Sequence, residues 1–162
     1  MNAPNNKILV LIVEDREQHM AHMLEAINKH MPNIEVSPKM PELSTFPEDD
    51  DLDYQRPLVR AILGKKFKTV IDKYSHAKVF IVDVSLNMSG ENDTTGILFY
   101  KELSKDPRTK RTPKIVVSQY PHASLTRQLK GLDVDFIFKQ DYDHFENEVV
   151  YRIKKLIEKG RV

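Results

Sequence analysis

Five polar side chains in this chain stand immediately after apolar runs: Glu14 and Asp15 after Ile8 to Val13, Asp83 after Val79 to Val82, Ser118 after Ile115 to Val117, and Lys139 after Phe136 to Phe138. Three are carboxylates, one is a hydroxyl and one is an amine. Carboxylates crowded at one edge repel, and one of them keeps its proton unless a cation holds them together. Oxygen ligands with positions left for water suit Mg²⁺, which takes a few carboxylates together with a substrate phosphate. A carboxylate beside such an ion can attack phosphorus and become an acyl phosphate, while the metal and an ammonium offset charge on the moving group. The set therefore predicts Asp83 as nucleophile, Glu14 and Asp15 as metal holders, Lys139 as counter-charge and Ser118 as a donor to a phosphoryl oxygen.

Such a set works only if the chain brings the five together. Runs of three to six apolar residues closed by turn signals fit strands covered on both faces, as in a parallel sheet flanked by helices. In those sheets ligands collect at the carboxyl ends of the strands, where all five residues would lie. Five strands are expected: Ile8 to Val13, Ile34 to Val36, Val79 to Asp83, Lys114 to Val117 and Val134 to Phe138. Between them run apolar stripes of helical period. The first helix carries Met20, Met23, Leu24, Ile27 and Met31, with Asp15 or a neighbour as its cap. The second begins at Pro57 and carries Leu58, Val59, Ile62, Leu63, Phe67, Val70, Ile71 and Tyr74. A third is expected from Gly96 to about Lys105, a fourth from Ser124 to Leu132, and a last from Tyr142 to Lys159, stopped by Gly160. Strand and helix alternating five times predict one α/β domain over residues 1–162, a doubly wound parallel sheet with helices on both faces.

Composition removes several alternatives. No cysteine is present among the 162 residues, so disulfide scaffolds, thiol nucleophiles and cysteine metal sites are excluded. The 25 Lys and Arg nearly cancel the 24 Asp and Glu, leaving no global field for nucleic acid or a membrane surface. The amino terminus has too few apolar residues before Glu14 for a signal peptide or a membrane span, so a cytoplasmic protein is expected. Residues 37–56 form an acidic, proline-containing insertion with no regular period, read as a solvated loop. His19 and His22, three apart on the first helix, read as surface histidines, close enough to hold a metal only if a third ligand arrives, and the other four histidines show no ligand spacing.

At the strand-end residues the chain resembles the receiver domain of two-component response regulators. Ile8 to Asp15 is similar to the first strand and acidic pair of that family, and Val79 to Asp83 to the strand carrying its phosphoacceptor. Ser118 matches the switch hydroxyl, Lys139 the lysine, and Phe136 the aromatic switch position. The resemblance spans about Lys7 to Lys159, interrupted by the insertion. It implies a flavodoxin-like sheet of strand order 2-1-3-4-5, and a backbone carbonyl from Ser85 as a further Mg²⁺ ligand. It also implies a histidine kinase or phosphotransfer protein as phosphodonor, and signalling to a downstream protein rather than turnover of a substrate. The face of the fourth helix, fifth strand and last helix would change on phosphorylation, and it is also the face expected for a homodimer. With the chain ending just past the last helix, output is expected through protein contacts.

The chain departs from the family pattern in three places. Gln140 follows the lysine where the family has proline, so a trans Lys139–Gln140 bond is expected, a non-proline cis bond costing about 2.5–4 kcal/mol. The loop after Asp83 is long, with Gly96 several residues later than the family's glycine, Asn87 in place of a proline, and Glu91, Asn92 and Asp93 added. Gln119 replaces a small residue beside Ser118. These departures define the alternative, a receiver-like interaction module that is not phosphorylated. A phosphatase of the haloacid dehalogenase type is a weaker match, because Ser85 stands where a second aspartate is needed, and a flavin-binding phosphate loop is missing after the first strand.

Overall fold

The structure, a computed structural model, describes residues 8–38, 57–86 and 94–162. Most of the acidic insertion and the residues Asn87, Glu91, Asn92 and Asp93 lie outside these. Five strands are present: β1 (Ile8–Val13), β2 (Ile34–Pro38), β3 (Val79–Asp83), β4 (Lys114–Ser118) and β5 (Asp135–Phe138). The helices are α1 (Glu17–His30), α2 (Pro57–Tyr74), α3 (Thr95–Lys105), α4 (Thr126–Leu129) and α5 (Phe145–Glu158). All strand pairs are parallel and the order is β2-β1-β3-β4-β5. That is the doubly wound sheet the apolar runs predict.

Alternation along β1 shows why its run is apolar throughout. Val10 and Ile12 face a core with Met23 and Ile27 of α1 and Val149 and Ile153 of α5. Leu11 and Val13 face the opposite side, with Leu63, Phe67 and Val70 of α2 and Phe99 and Leu103 of α3. Neither side offers water, so no polar residue is tolerated until the strand ends. Each fully buried aliphatic or aromatic chain contributes about 1.5–3 kcal/mol. The strand ends are thereby held fixed relative to one another.

Register sets which polar residues meet. Val13 pairs with Val82, so Glu14 follows β1 at the level where Asp83 ends β3. Asp83 pairs with Val117, and Ser118 pairs with Phe138, which places Ser118 and Lys139 on the next steps of the same rim.

Several boundaries differ from expectation. The fourth helix is a 3₁₀ turn, His122–Leu125, followed by the single turn of α4. Here hydroxyls compete for the backbone: Ser124 Oγ donates to Pro121 O at 2.8 Å and Thr126 Oγ1 to Ala123 O at 3.0 Å. Extended backbone at Lys130 and a left-handed Gly131 (φ 79°) end the segment. Helix α5 starts at Phe145 rather than Tyr142, because Lys139–Asp141 form another 3₁₀ turn. At the start of α1 the N-cap is Arg16, without a side-chain cap, so Asp15 does not cap that helix. At the far end of α5, Gly160 (φ 66°) and the Arg161 N–H to Leu156 O bond of 3.0 Å close the helix as expected.

Candidate functional site

Asp83 enters the rim from the last residue of a strand buried along its whole length, and only 3% of its surface is exposed. Glu14 (2%), Ser118 (0%) and Lys139 (6%) are buried as well. Lys139 Nζ donates to Glu14 Oε2 at 2.8 Å and to Asp83 Oδ2 at 3.0 Å. These contacts join residues 125 and 56 positions apart in the chain. Two backbone amides complete the carboxylates: Arg16 N–H donates to Glu14 Oε1 at 3.1 Å, and Ser85 N–H to Asp83 Oδ1 at 3.3 Å.

The electrostatics follow from two acids and one ammonium sharing a dry site. Burial, then the charge of Glu14, raises Asp83 well above the usual carboxylate range, and Lys139 offsets only part of this. Burial also acts on Glu14, but the hydrogen bond from Asp83 and the charge of Lys139 outweigh it and hold its carboxyl below the ordinary value. Glu14 is thus the charged partner and Asp83 the one that keeps a proton longest. Asp15 stands next to Glu14 and is not among the residues whose ligand atoms converge with Asp83, which are Glu14 and His19. Burial and Glu14 push it up to about 6, and its Oδ1 is buried with no hydrogen-bond partner among the described residues.

Ser118 Oγ accepts the Tyr120 N–H at 2.8 Å, which fixes the turn that leaves β4. Phe136 is half-buried on β5 and meets the His122 ring edge-on, 5.2 Å between centroids. The Lys139–Gln140 bond is trans, with Gln140 exposed. Gln119 and Gln140 both line a cleft of about 380 Å³ beside the lysine, together with His19, His22, Tyr142 and Phe145.

One residue of the site departs from the sequence expectation. His19 is not a surface histidine: its Nδ1 lies 2.8 Å from Lys139 Nζ and 3.8 Å from Glu14 Oε2, and its ring packs edge-on against Phe145 at 5.3 Å. His22 is exposed, as expected. Burial and the Lys139 charge lower the His19 pKa, favouring a neutral ring whose Nδ1 accepts from the ammonium. The helical stripe alone places His19 beside Met20 at the margin of the apolar face, and gives no hint that the end of β5 lies above it.

The donor set fits a divalent ion. Carboxylate oxygens of Glu14 and Asp83 converge on a cation already, the Lys139 ammonium, and the orphaned Asp15 Oδ1 offers a further oxygen at the same edge. The Ser85 carbonyl lies two residues beyond Asp83.

No protein-family model matches the sequence, and no curated protein matches it. Solved structures do match. A phosphorylated cyanobacterial phytochrome response regulator, RcpA, is 16% identical over 93% of each chain, with a TM-score of 0.61. The Mn²⁺-bound response regulator Rcp1 is 16% identical over 91% of each chain, at 0.60. A response regulator receiver domain from Rhodospirillum rubrum is 18% identical over 90% of each chain, at 0.60. This chain has the response regulator receiver fold. The receiver fold accounts for the strand order and for the rim on which Glu14, Asp83 and Lys139 meet. Among the described residues, no helix of this receiver-fold chain is long and apolar enough to cross a membrane.

Proposed function

We propose that this chain is the phosphoacceptor receiver of a two-component phosphorelay, taking a phosphoryl group onto Asp83. The observation that carries the reading is the convergence of Glu14, Asp83 and Lys139 within 3.0 Å contacts at the carboxyl edge of the sheet. The Mn²⁺ bound to Rcp1 and the phosphoryl group on RcpA are consistent with the same chemistry on the same fold.

In this reading Glu14, Asp15, Asp83 and the Ser85 carbonyl hold Mg²⁺. When bound, the ion offsets the negative charge of the acids and of the incoming phosphoryl oxygens. Asp83 releases its proton to bulk water when the cation offsets the charge of the acids, and as the free carboxylate it attacks phosphorus, one of its oxygens forming the new P–O bond. The bond from phosphorus to the phosphodonor breaks, its electron pair leaving with the donor. Lys139 turns from Asp83 Oδ2 to a phosphoryl oxygen. The Ser118 hydroxyl then donates to another, Phe136 follows inward, and the face of α4, β5 and α5 presents an altered surface.

The phosphodonor is a histidine kinase or phosphotransfer protein, and the output is a protein contact, with a homodimer through the same face as one form. No separate substrate is turned over and no nucleic acid is bound directly. The test is acetyl phosphate or beryllofluoride with Mg²⁺, read by mass and by amide chemical shifts. An adduct lost in Asp83→Asn supports the reading; no adduct on the unaltered chain removes it.

A second reading, an interaction module with the receiver fold and no phosphorylation, is favoured by the 3% exposure of Asp83 beneath an ammonium already bound to it. Absence of a saturable Mg²⁺ response at Asp83 would select it.

A further inference from the structure

Lys139 Nζ stands 2.8 Å from Glu14 Oε2, 2.8 Å from His19 Nδ1 and 3.0 Å from Asp83 Oδ2. A single point is therefore within 3.0 Å of two carboxylate oxygens and one imidazole nitrogen, and a cation already marks it. The three residues also supply ligand atoms that all lie within 4.8 Å of one another. Metal bonds to such atoms are about 2.0–2.2 Å, so an ion at this point needs each donor to move inward by less than about 1 Å. Three protein ligands with one position open is a common zinc arrangement, and imidazole suits zinc and cobalt whereas Mg²⁺ prefers oxygen alone.

We propose that Glu14, His19 and Asp83 form a binding position for a divalent ion of the zinc class, which enters by displacing the Lys139 ammonium and thereby opposes phosphorylation of Asp83. The inhibitory half rests on the phosphoacceptor reading above; the binding half does not. Lys139 can leave because its ammonium is carried on a flexible four-carbon stem beside the cleft. It already stands 5.2 Å from the centroid of the Phe145 ring, whose face holds a cation favourably. Such an ion and Mg²⁺ draw on the same Glu14 and Asp83, so they exclude one another. The difference between them is His19.

The test uses the full chain with Co²⁺ or Zn²⁺ alone, read by calorimetry and by the visible absorption of bound cobalt. One ion per chain is expected, with the intense bands of a low-coordinate nitrogen-containing site. His19→Ala should weaken it by at least about 10-fold, the loss that even an outer-shell partner of a metal ligand produces, while His22→Ala leaves it unchanged. Lys139→Met should tighten binding, because the competing ammonium is gone. Zinc affinity unchanged in His19→Ala, or weakened in Lys139→Met, overturns the proposal. Beryllofluoride adduct formation with Mg²⁺ is then measured against added Zn²⁺, each variant compared with its own zinc-free level. Inhibition in the unaltered chain that is lost in His19→Ala supports the inhibitory half, and zinc-insensitive adduct formation overturns it. If the unaltered chain forms no adduct at all, the phosphoacceptor reading and the inhibitory half fail together, and the zinc affinities still decide the site.

Discussion

Gly96 lies against the backbone carbonyl of Asp83 so closely that a Cβ at that position would stand 1.7 Å from the carbonyl oxygen. The same glycine donates its N–H to Val84 O at 2.9 Å. The first turn of α3 is thus seated on the very residue that ends β3, and the absence of a side chain is what lets it sit there.

Gly96→Ala is expected to push α3 off the end of β3. Because the obstructing atoms are backbone, no rotamer change relieves the clash, and a loss of about 3 kcal/mol is expected, at the upper end for overpacking. Urea unfolding measures it, and amide shifts at Asp83 and Val84 should move together with α3. Gly64 provides the contrast, with open space where its Cβ would be. Gly64→Ala should be neutral or stabilising, by up to about 1 kcal/mol.

Much of the rim is legible in the sequence, for a physical reason. A strand buried on both faces has to be apolar, so β1, β3 and β4 announce themselves, and the polar residue that ends each run sits at the rim. Glu14, Asp83, Ser118 and Lys139 were found that way. His19 was not, because its neighbours are made by the crossing of α1 beneath the end of β5, 120 residues later in the chain. The fourth helix is shorter than its expected span of Ser124 to Leu132, because hydroxyl-to-carbonyl bonds and Gly131 outweigh the weak apolar period of that segment. Gly96 was visible as a glycine, but the carbonyl it makes room for was not.

Asp15 gives a pH prediction whose sign can be worked out. Its folded value, about 6, is raised above the ordinary value of 3.8. The folded chain therefore holds this proton more tightly than the unfolded chain. Its contribution to stability is fully present below about pH 4 and is lost as pH rises through about 6. Asp15→Asn removes that loss. At pH 7.5 the variant should be more stable, by about 1–2 kcal/mol once solvent screening of a half-exposed group is allowed for, and near pH 3.5 the two should agree. Thermal melts at both pH values check this. In the phosphoacceptor reading, millimolar Mg²⁺ should narrow the gap at pH 7.5, because the ion stabilises the ionised wild-type carboxylate.

Away from the rim, Lys114 closes the loop before β4. Its ammonium donates to the carbonyls of Thr109 at 2.8 Å, Thr112 at 2.8 Å and Lys110 at 3.2 Å, while Thr109 Oγ1 caps Leu103 O of α3 at 2.8 Å. Lys114→Met keeps the stem and removes the donors. With three carbonyls losing a charged partner, two of them beside half-buried chain, a cost of about 2 kcal/mol is expected. Hydrogen exchange should quicken at the amides of residues 109–112 and stay slow in β1.

Lys139→Met is the sharpest probe of the rim, because it removes the one cation that, among the described residues, bonds both Glu14 and Asp83. Breaking a buried pair on one side costs about 3–5 kcal/mol, since the remaining charges are left without a partner. Here two acids remain, and the protein has an escape: Asp83, already raised, is expected to rise further and take a proton. The cost should therefore be largest at alkaline pH and shrink on acidification, the direction required of a carboxyl whose folded value lies above its unfolded one. Adding Asp83→Asn to Lys139→Met removes the second charge, so the double variant should be more stable at pH 8 than Lys139→Met alone. A coupling energy near zero in that double-mutant cycle would mean that the ammonium and Asp83 do not sense one another, and the contact at 3.0 Å would carry no weight.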